Sequence, residues 1–266
     1  MAECMFGSKE GMTCSGKILP DGWVGAPPLL KRNLYSRERM CFMNTNSPGK
    51  LAFWTAFFAA VFSVMYSIFQ ILSALGVLTG YASQILIFGT SILIAPSFVA
   101  MMACVHQSAP DSKKVWSQIG VLFSVLYAVF VMMTYMTELF VVIPHSMRGE
   151  ADKVALLAFN PESIMYVIDG LGYTFMCLAT LFTVPIYINT GIEKWIKRMS
   201  IMNGILGIPI FIVYTHFQPV LLFFVALWMV TVPGICILLT VRFGSTVYRG
   251  NKTNTHHRKI VNIKIS

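Results

Sequence analysis

The sequence predicts an all-α fold: a polytopic transmembrane bundle of six helices with both termini in the cytoplasm. The first observation behind this is chemical balance. Of the 266 residues, 56% are hydrophobic and 12% charged, and the mean hydropathy is +0.69. Soluble domains carry about 25% charged residues, so the solvent implied is a bilayer. The second observation is six long apolar segments separated by polar ones. The third is that one threading of the chain puts nearly all the Lys and Arg on one side.

A helix needs about 20 apolar residues to cross roughly 30 Å of hydrocarbon. Six segments qualify, at residues 51–79, 85–105, 115–143, 164–188, 201–215 and 220–241. The fifth is short and is expected to stand upright or borrow from its flanks. With a cytoplasmic N-terminus, the inside segments hold seven basic residues up to Lys50, then Lys113 and Lys114, then Lys194, Lys197 and Arg198, and six from Arg242 to Lys264. Only Arg148 and Lys153 remain outside. The positive-inside rule selects this topology. Five spans would strand a basic cluster on the wrong face, which argues for keeping the short fifth segment.

Residues 51–243 form the expected membrane domain. Residues 1–50, rich in Gly, Pro, Ser and charge, read as a polar, disordered tail. A start at Met43 is an alternative, since Met-Asn-Thr-Asn-Ser-Pro-Gly-Lys leads directly into Leu51. Residues 244–266 form a basic cytoplasmic tail in which His256-His257-Arg258-Lys259 reads as a solvated end. The net charge of +9 follows from these flanks. They suit the anionic lipids of an inner leaflet, at about 1 kcal/mol per basic residue, and call for no nucleic acid partner. Cys4, Cys14, Cys41, Cys104, Cys177 and Cys236 contain no C-x-x-C pair and read as reduced thiols.

Residues 81–84 and 217–219 are expected to be tight hairpins, making spans one and two, and five and six, antiparallel neighbours. The longest outside segment, residues 144–163, carries an apolar run at 154–159, for which a short amphipathic helix on the outer surface is the less favoured of the readings. Pro96, Pro209 and Pro233 stand inside spans, where each frees a carbonyl that a neighbour or a Ser/Thr must satisfy. Pro96 and Pro209 fall near the middles of spans two and five, as inverted three-helix halves would place them.

Glu138 and Asp169 are the acidic residues within the spans, each about 9 Å from the outer end of its helix at 1.5 Å per residue. Intramembrane carboxylates usually face the bundle interior and find a partner. Tyr127, Thr134 and Glu138 share a face of span three, Asp169, Tyr173 and Thr180 a face of span four, and Ser63, Ser67 and Gln70 a face of span one. Glu138, Asp169, Tyr173 and Thr134 are therefore the candidate proton or cation site. The competing reading has the two acids hydrogen-bonding to Tyr, Ser and Thr hydroxyls, or neutralised by Arg148 or Lys153, and only orienting helices.

No catalytic pattern accompanies them. The chain lacks H-E-x-x-H and G-x-S-x-G, offers a single Asp within the spans, and places no lysine in one. Gly170-Leu171-Gly172 is too little for a phosphate loop and suits close helix approach. His145 and His216 at the outer surface read as boundary residues, so no metal and no cofactor is expected.

Ile94-Ala95-Pro96-Ser97-Phe98, Ala109-Pro110 with Lys113-Lys114-Val115-Trp116-Ser117, and Asp169-Gly170-Leu171-Gly172-Tyr173 together resemble a group of uncharacterised prokaryotic six-span integral membrane proteins. The resemblance spans residues 51–241 and omits both tails. It implies a bacterial or archaeal plasma membrane; the group has no assigned activity, so no functional residues carry over. The expectation is a non-catalytic membrane module, with a small transporter or channel using Glu138 and Asp169 as the alternative.

Overall fold

The computed structural model describes residues 46–216 and 222–263, with side chains over 49–216 and 223–248. Residues 1–45 of the N-terminal tail, the Met43 start, the 217–219 hairpin and the side chains of the basic C-terminal end lie outside these residues, while Asn46–Lys50, expected in that tail, are helical. Six helices long and apolar enough to cross a membrane are present, and no strand occurs among the described residues. They are α1 (Asn46–Ala74), α2 (Gly80–Gln107), α3 (Asp111–Met147), α4 (Ile164–Ile186), α5 (Gly191–Thr215) and α6 (Leu222–Ile263). Each packs against the next, and α6 returns to α1, so the six close into a ring. One end of the ring carries Lys113, Lys114, Lys194, Lys197, Arg198 and Arg242 and is called the basic end below.

The ring is polar-poor outside and mixed inside. Leu93, Leu122, Val129, Phe140, Ile208 and Val230 are exposed. Large apolar faces of this kind are a liability in water and the normal surface in lipid. Small residues set the helix spacing. A Cβ at Gly170 would run into Tyr214 Cβ on α5, and one at Gly172 would stand 3.0 Å from Val131 on α3. Gly204 and Gly207 on α5 likewise lie against Leu181 and Cys177 of α4. Backbones approach closely in lipid where side chains are absent.

Three expectations are refined. The first hairpin lies at residues 75–79, and Tyr81–Gln84 are helical. Gly76 and Gly80 take φ of +71° and +65°, a region open to Gly, while the apolar Leu75, Val77 and Leu78 hide this turn from hydropathy. The fifth helix borrows from its flank, one of the two outcomes expected of it: it begins at Gly191, so Glu193, Lys194, Lys197 and Arg198 form its first two turns. The 154–159 run makes no surface helix. After a 3-10 turn at Ala151–Val154 the chain dips, Leu156 stays 83% exposed, and Phe159 turns inward to pack on the core. Beyond Phe243 the backbone of α6 stays helical to Ile263.

Pro233 shows how the ring tolerates a helix-interior proline. Without an N–H it leaves the carbonyl four residues earlier, Met229, without a helical donor. Ser67 Oγ of α1 donates to that carbonyl at 3.0 Å, sharing its proton with Ser63 O at 3.0 Å.

Candidate functional site

Asp169 is fully buried on α4, and Tyr135 Oη of α3 donates to its Oδ2 at 3.1 Å. The Tyr173 hydroxyl lies 2.6 Å from that of Tyr135. Either of these two hydroxyls can donate to the other, and Tyr173 also directs its hydroxyl at Tyr66. The Tyr173 and Tyr66 hydroxyls lie 3.4 Å apart, and Gln70 Nε2 donates to Tyr66 at 2.8 Å. The chain of polar groups therefore runs from α1 through α4 and α3 and back to the carboxylate on α4. Trp228 of α6 stands edge-on to Tyr173 and Tyr66, with ring centroids 4.6 and 6.0 Å away.

This cluster is closely packed. Tyr66, Tyr173, Ile210, Tyr214, Val225 and Trp228 surround a cavity of about 10 Å³, at the threshold for holding a single water. Asp169 Oδ1 and Trp228 Nε1 have no hydrogen-bond partner among the described residues. A buried polar atom without a partner costs about 1–3 kcal/mol; Asp169 Oδ1 would be satisfied by a water or a proton, and Trp228 Nε1–H, a donor only, by a water.

Glu138 is also buried, at 3% exposure, but it belongs to a different local structure. It opens a π-helical segment, Glu138–Val142, in which Ile143 N–H reaches back to the Glu138 carbonyl. Pro144 follows two residues after Val142. Its ring clashes with the carbonyl of an α-helical preceding turn, and the wider π turn relieves that crowding while directing Glu138 inward. Single π turns within α-helices are frequent at functional positions. The carboxylate accepts the backbone N–H of Phe159 from the long loop.

The four residues of the expected proton or cation site are thus only partly united. Asp169 and Tyr173 share one network. Glu138 and Asp169 each have a separate donor, and no hydrogen bond joins them among the described residues. Thr134, fully buried, donates to Phe130 O on its own helix at 3.1 Å and reaches neither acid. Arg148 and Lys153 pair with Glu150 at the surface, at 3.8 and 2.7 Å, rather than with Glu138. Tyr135, the actual partner of Asp169, is readable from the sequence: it stands three positions before Glu138 and eight after Tyr127, on the same face of α3.

A second buried polar group sits between α4, α5 and α6. Asn203 Nδ2 donates to Thr180 Oγ1 at 2.9 Å, and Thr231 Oγ1 donates to Asn203 Oδ1 at 2.9 Å. Thr180 therefore serves this bridge and not the carboxylates. At the basic end, Arg242 Nε and Nη2 approach Glu193 Oε1 at 3.1 and 3.0 Å, and Ile188 N–H donates to Oε2 at 3.0 Å. Arg242 also covers the faces of Tyr187 and Phe243.

His145 Nδ1 lies 2.8 Å from Val141 O, and His216 Nδ1 lies 3.3 Å from Thr215 Oγ1. Among the described residues no three His, Cys, Asp or Glu side chains gather as metal ligands would. Cys104, Cys177 and Cys236 are free thiols. Comparison of the chain with family models, with curated proteins and with solved structures finds no match.

Proposed function

We propose that this chain is a non-catalytic integral membrane module of a prokaryotic plasma membrane, with both termini cytoplasmic and its basic end against anionic lipid. The observation that carries the reading is the separate capture of the two intramembrane acids. Asp169 is bound by Tyr135 and Glu138 by the Phe159 amide, and the space beside the tyrosines is about 10 Å³. Groups held this way order helices, since each hydrogen bond crosses between elements that lipid alone would leave free to slide. The basic end collects the charges expected to face an anionic leaflet.

A second reading is favoured by one observation, the unpartnered Asp169 Oδ1 at the end of a chain of three tyrosines. There the bundle is a small proton- or cation-coupled transporter and Asp169 is the loading site. Proton and monovalent-cation flux in liposomes decides between the two, comparing the native chain with Glu138→Gln plus Asp169→Asn. The module reading expects no flux above empty liposomes and a lower thermal midpoint for the double variant. Flux in the native protein that disappears in an equally stable double variant replaces it with the transporter reading.

A further inference from the structure

The loop between α3 and α4 does more than connect them. Between residues 151 and 162 its one hydrogen bond to a spanning helix, among the described residues, is the Phe159 N–H to the Glu138 carboxylate. The Phe159 ring enters the space between three helices. Its centroid lies 5.8 Å from Phe88 on α2, 6.3 Å from Tyr135 on α3 and 5.1 Å from Tyr166 on α4. Tyr166 stands one turn before Asp169, and Tyr135 one turn before Glu138. The ring therefore caps the Tyr135–Asp169 pair from the end opposite the basic one, and beneath it Tyr135 is 2% and Asp169 0% exposed.

We infer that Phe159 is a removable stopper and Glu138 its latch, together controlling entry of water and protons from the non-basic end to the Tyr135–Asp169 pair. The latch is a single hydrogen bond from a backbone amide to the Glu138 side chain, broken by one local movement. Around Phe159 the loop is lightly held: Leu156 is 83% exposed and the ion pairs of Glu150 with Arg148 and Lys153 are exposed and weak, while the buried Val154 anchors the start of the loop. This role goes beyond the proposed function and does not depend on flux, because access is measured without transport.

Hydroxyl-radical footprinting of the full chain in lipid nanodiscs tests it, reading oxidation at Tyr135 and Phe88, with Tyr127 and Phe98 as deep-core controls. Glu138→Leu removes the acceptor at similar volume, Glu138→Gln keeps one, and Phe159→Ala removes the ring. The expected result is a several-fold rise at Tyr135 and Phe88 in Glu138→Leu and Phe159→Ala, native labelling in Glu138→Gln, and unchanged controls. Native labelling at Tyr135 in Glu138→Leu, with the controls protected, overturns the latch. If Glu138→Leu also exposes the controls and so has lost its fold, Phe159→Ala decides: protected Tyr135 there overturns the stopper.

Discussion

The Tyr135 hydroxyl is the one donor to the Asp169 carboxylate among the described residues, at 3.1 Å. Tyr135→Phe keeps the ring and its stacking on Phe88 but leaves a fully buried carboxyl group with no partner at either oxygen. The expected loss is about 1–3 kcal/mol, read as a lower thermal midpoint in detergent. Tyr66→Phe breaks the longest link, at 3.4 Å, and also the Gln70 contact at the far end of the chain of hydroxyls. It should cost under about 1 kcal/mol. Equal losses in the two variants would show that the network does not converge on Asp169.

Gly170 sits where α4 and α5 come closest. An added methyl would overlap Tyr214 Cβ, an atom fixed to the backbone that cannot swing away. Gly170→Ala should destabilise by about 1–3 kcal/mol through overpacking. Gly89→Ala on α2, where nothing lies within 4 Å, should be neutral or slightly stabilising because Ala is the better helix former. Thermal unfolding of the two variants side by side checks this. A Gly170→Ala protein as stable as Gly89→Ala would mean that α4 and α5 have room for a methyl between them.

Six spans and their order are legible because hydrocarbon thickness and charge placement act on long stretches of chain, which a single sequence records well. Helix ends are less so. The turn at Gly76 to Gly80 is written in backbone angles, which Leu75, Val77 and Leu78 mask. The start of α5 is written in a polar face, since Glu193 is held by Arg242 from α6, a partner 49 positions away. The candidate site is half legible. Asp169 and Tyr173 follow from helical spacing, whereas the separation of Glu138 from Asp169 depends on a π turn and on a loop that folds back through Phe159. The π turn has a local signal in Pro144, whereas the fold-back of the loop arises from contacts across the bundle.

Ser67 and Pro233 form a pair that a double-mutant cycle can isolate. Ser67→Ala deprives Met229 O of its donor and should cost about 0.6 kcal/mol, the average for hydrogen bonds between membrane helices, and no more than about 1.7. In a Pro233→Ala background the helix regains its own N–H for that carbonyl, so the same Ser67→Ala change should cost much less. Equal costs in both backgrounds, by thermal or denaturant unfolding, would show that Ser67 serves Ser63 O alone.

At the basic end, Arg242 and Glu193 are 18% and 23% exposed, so their pair lies between the weak surface class and the buried one. Arg242 reaches Glu193 through two nitrogens while its plane covers Tyr187, and Ile188 N–H holds the other oxygen of the same carboxylate. Lysine carries the charge but neither the planar face nor the rigid fork of two nitrogens. Arg242→Lys should therefore lose about 1–2 kcal/mol, more than the few tenths typical of a surface pair. Raising the salt concentration from about 0.05 to about 0.5 M shortens the screening length several-fold. It should narrow the gap between the native protein and the Arg242→Lys variant only slightly, because stacking and hydrogen-bond geometry survive screening. A gap that vanishes in salt, measured by thermal unfolding in the same detergent, would reduce the clasp to a simple surface attraction.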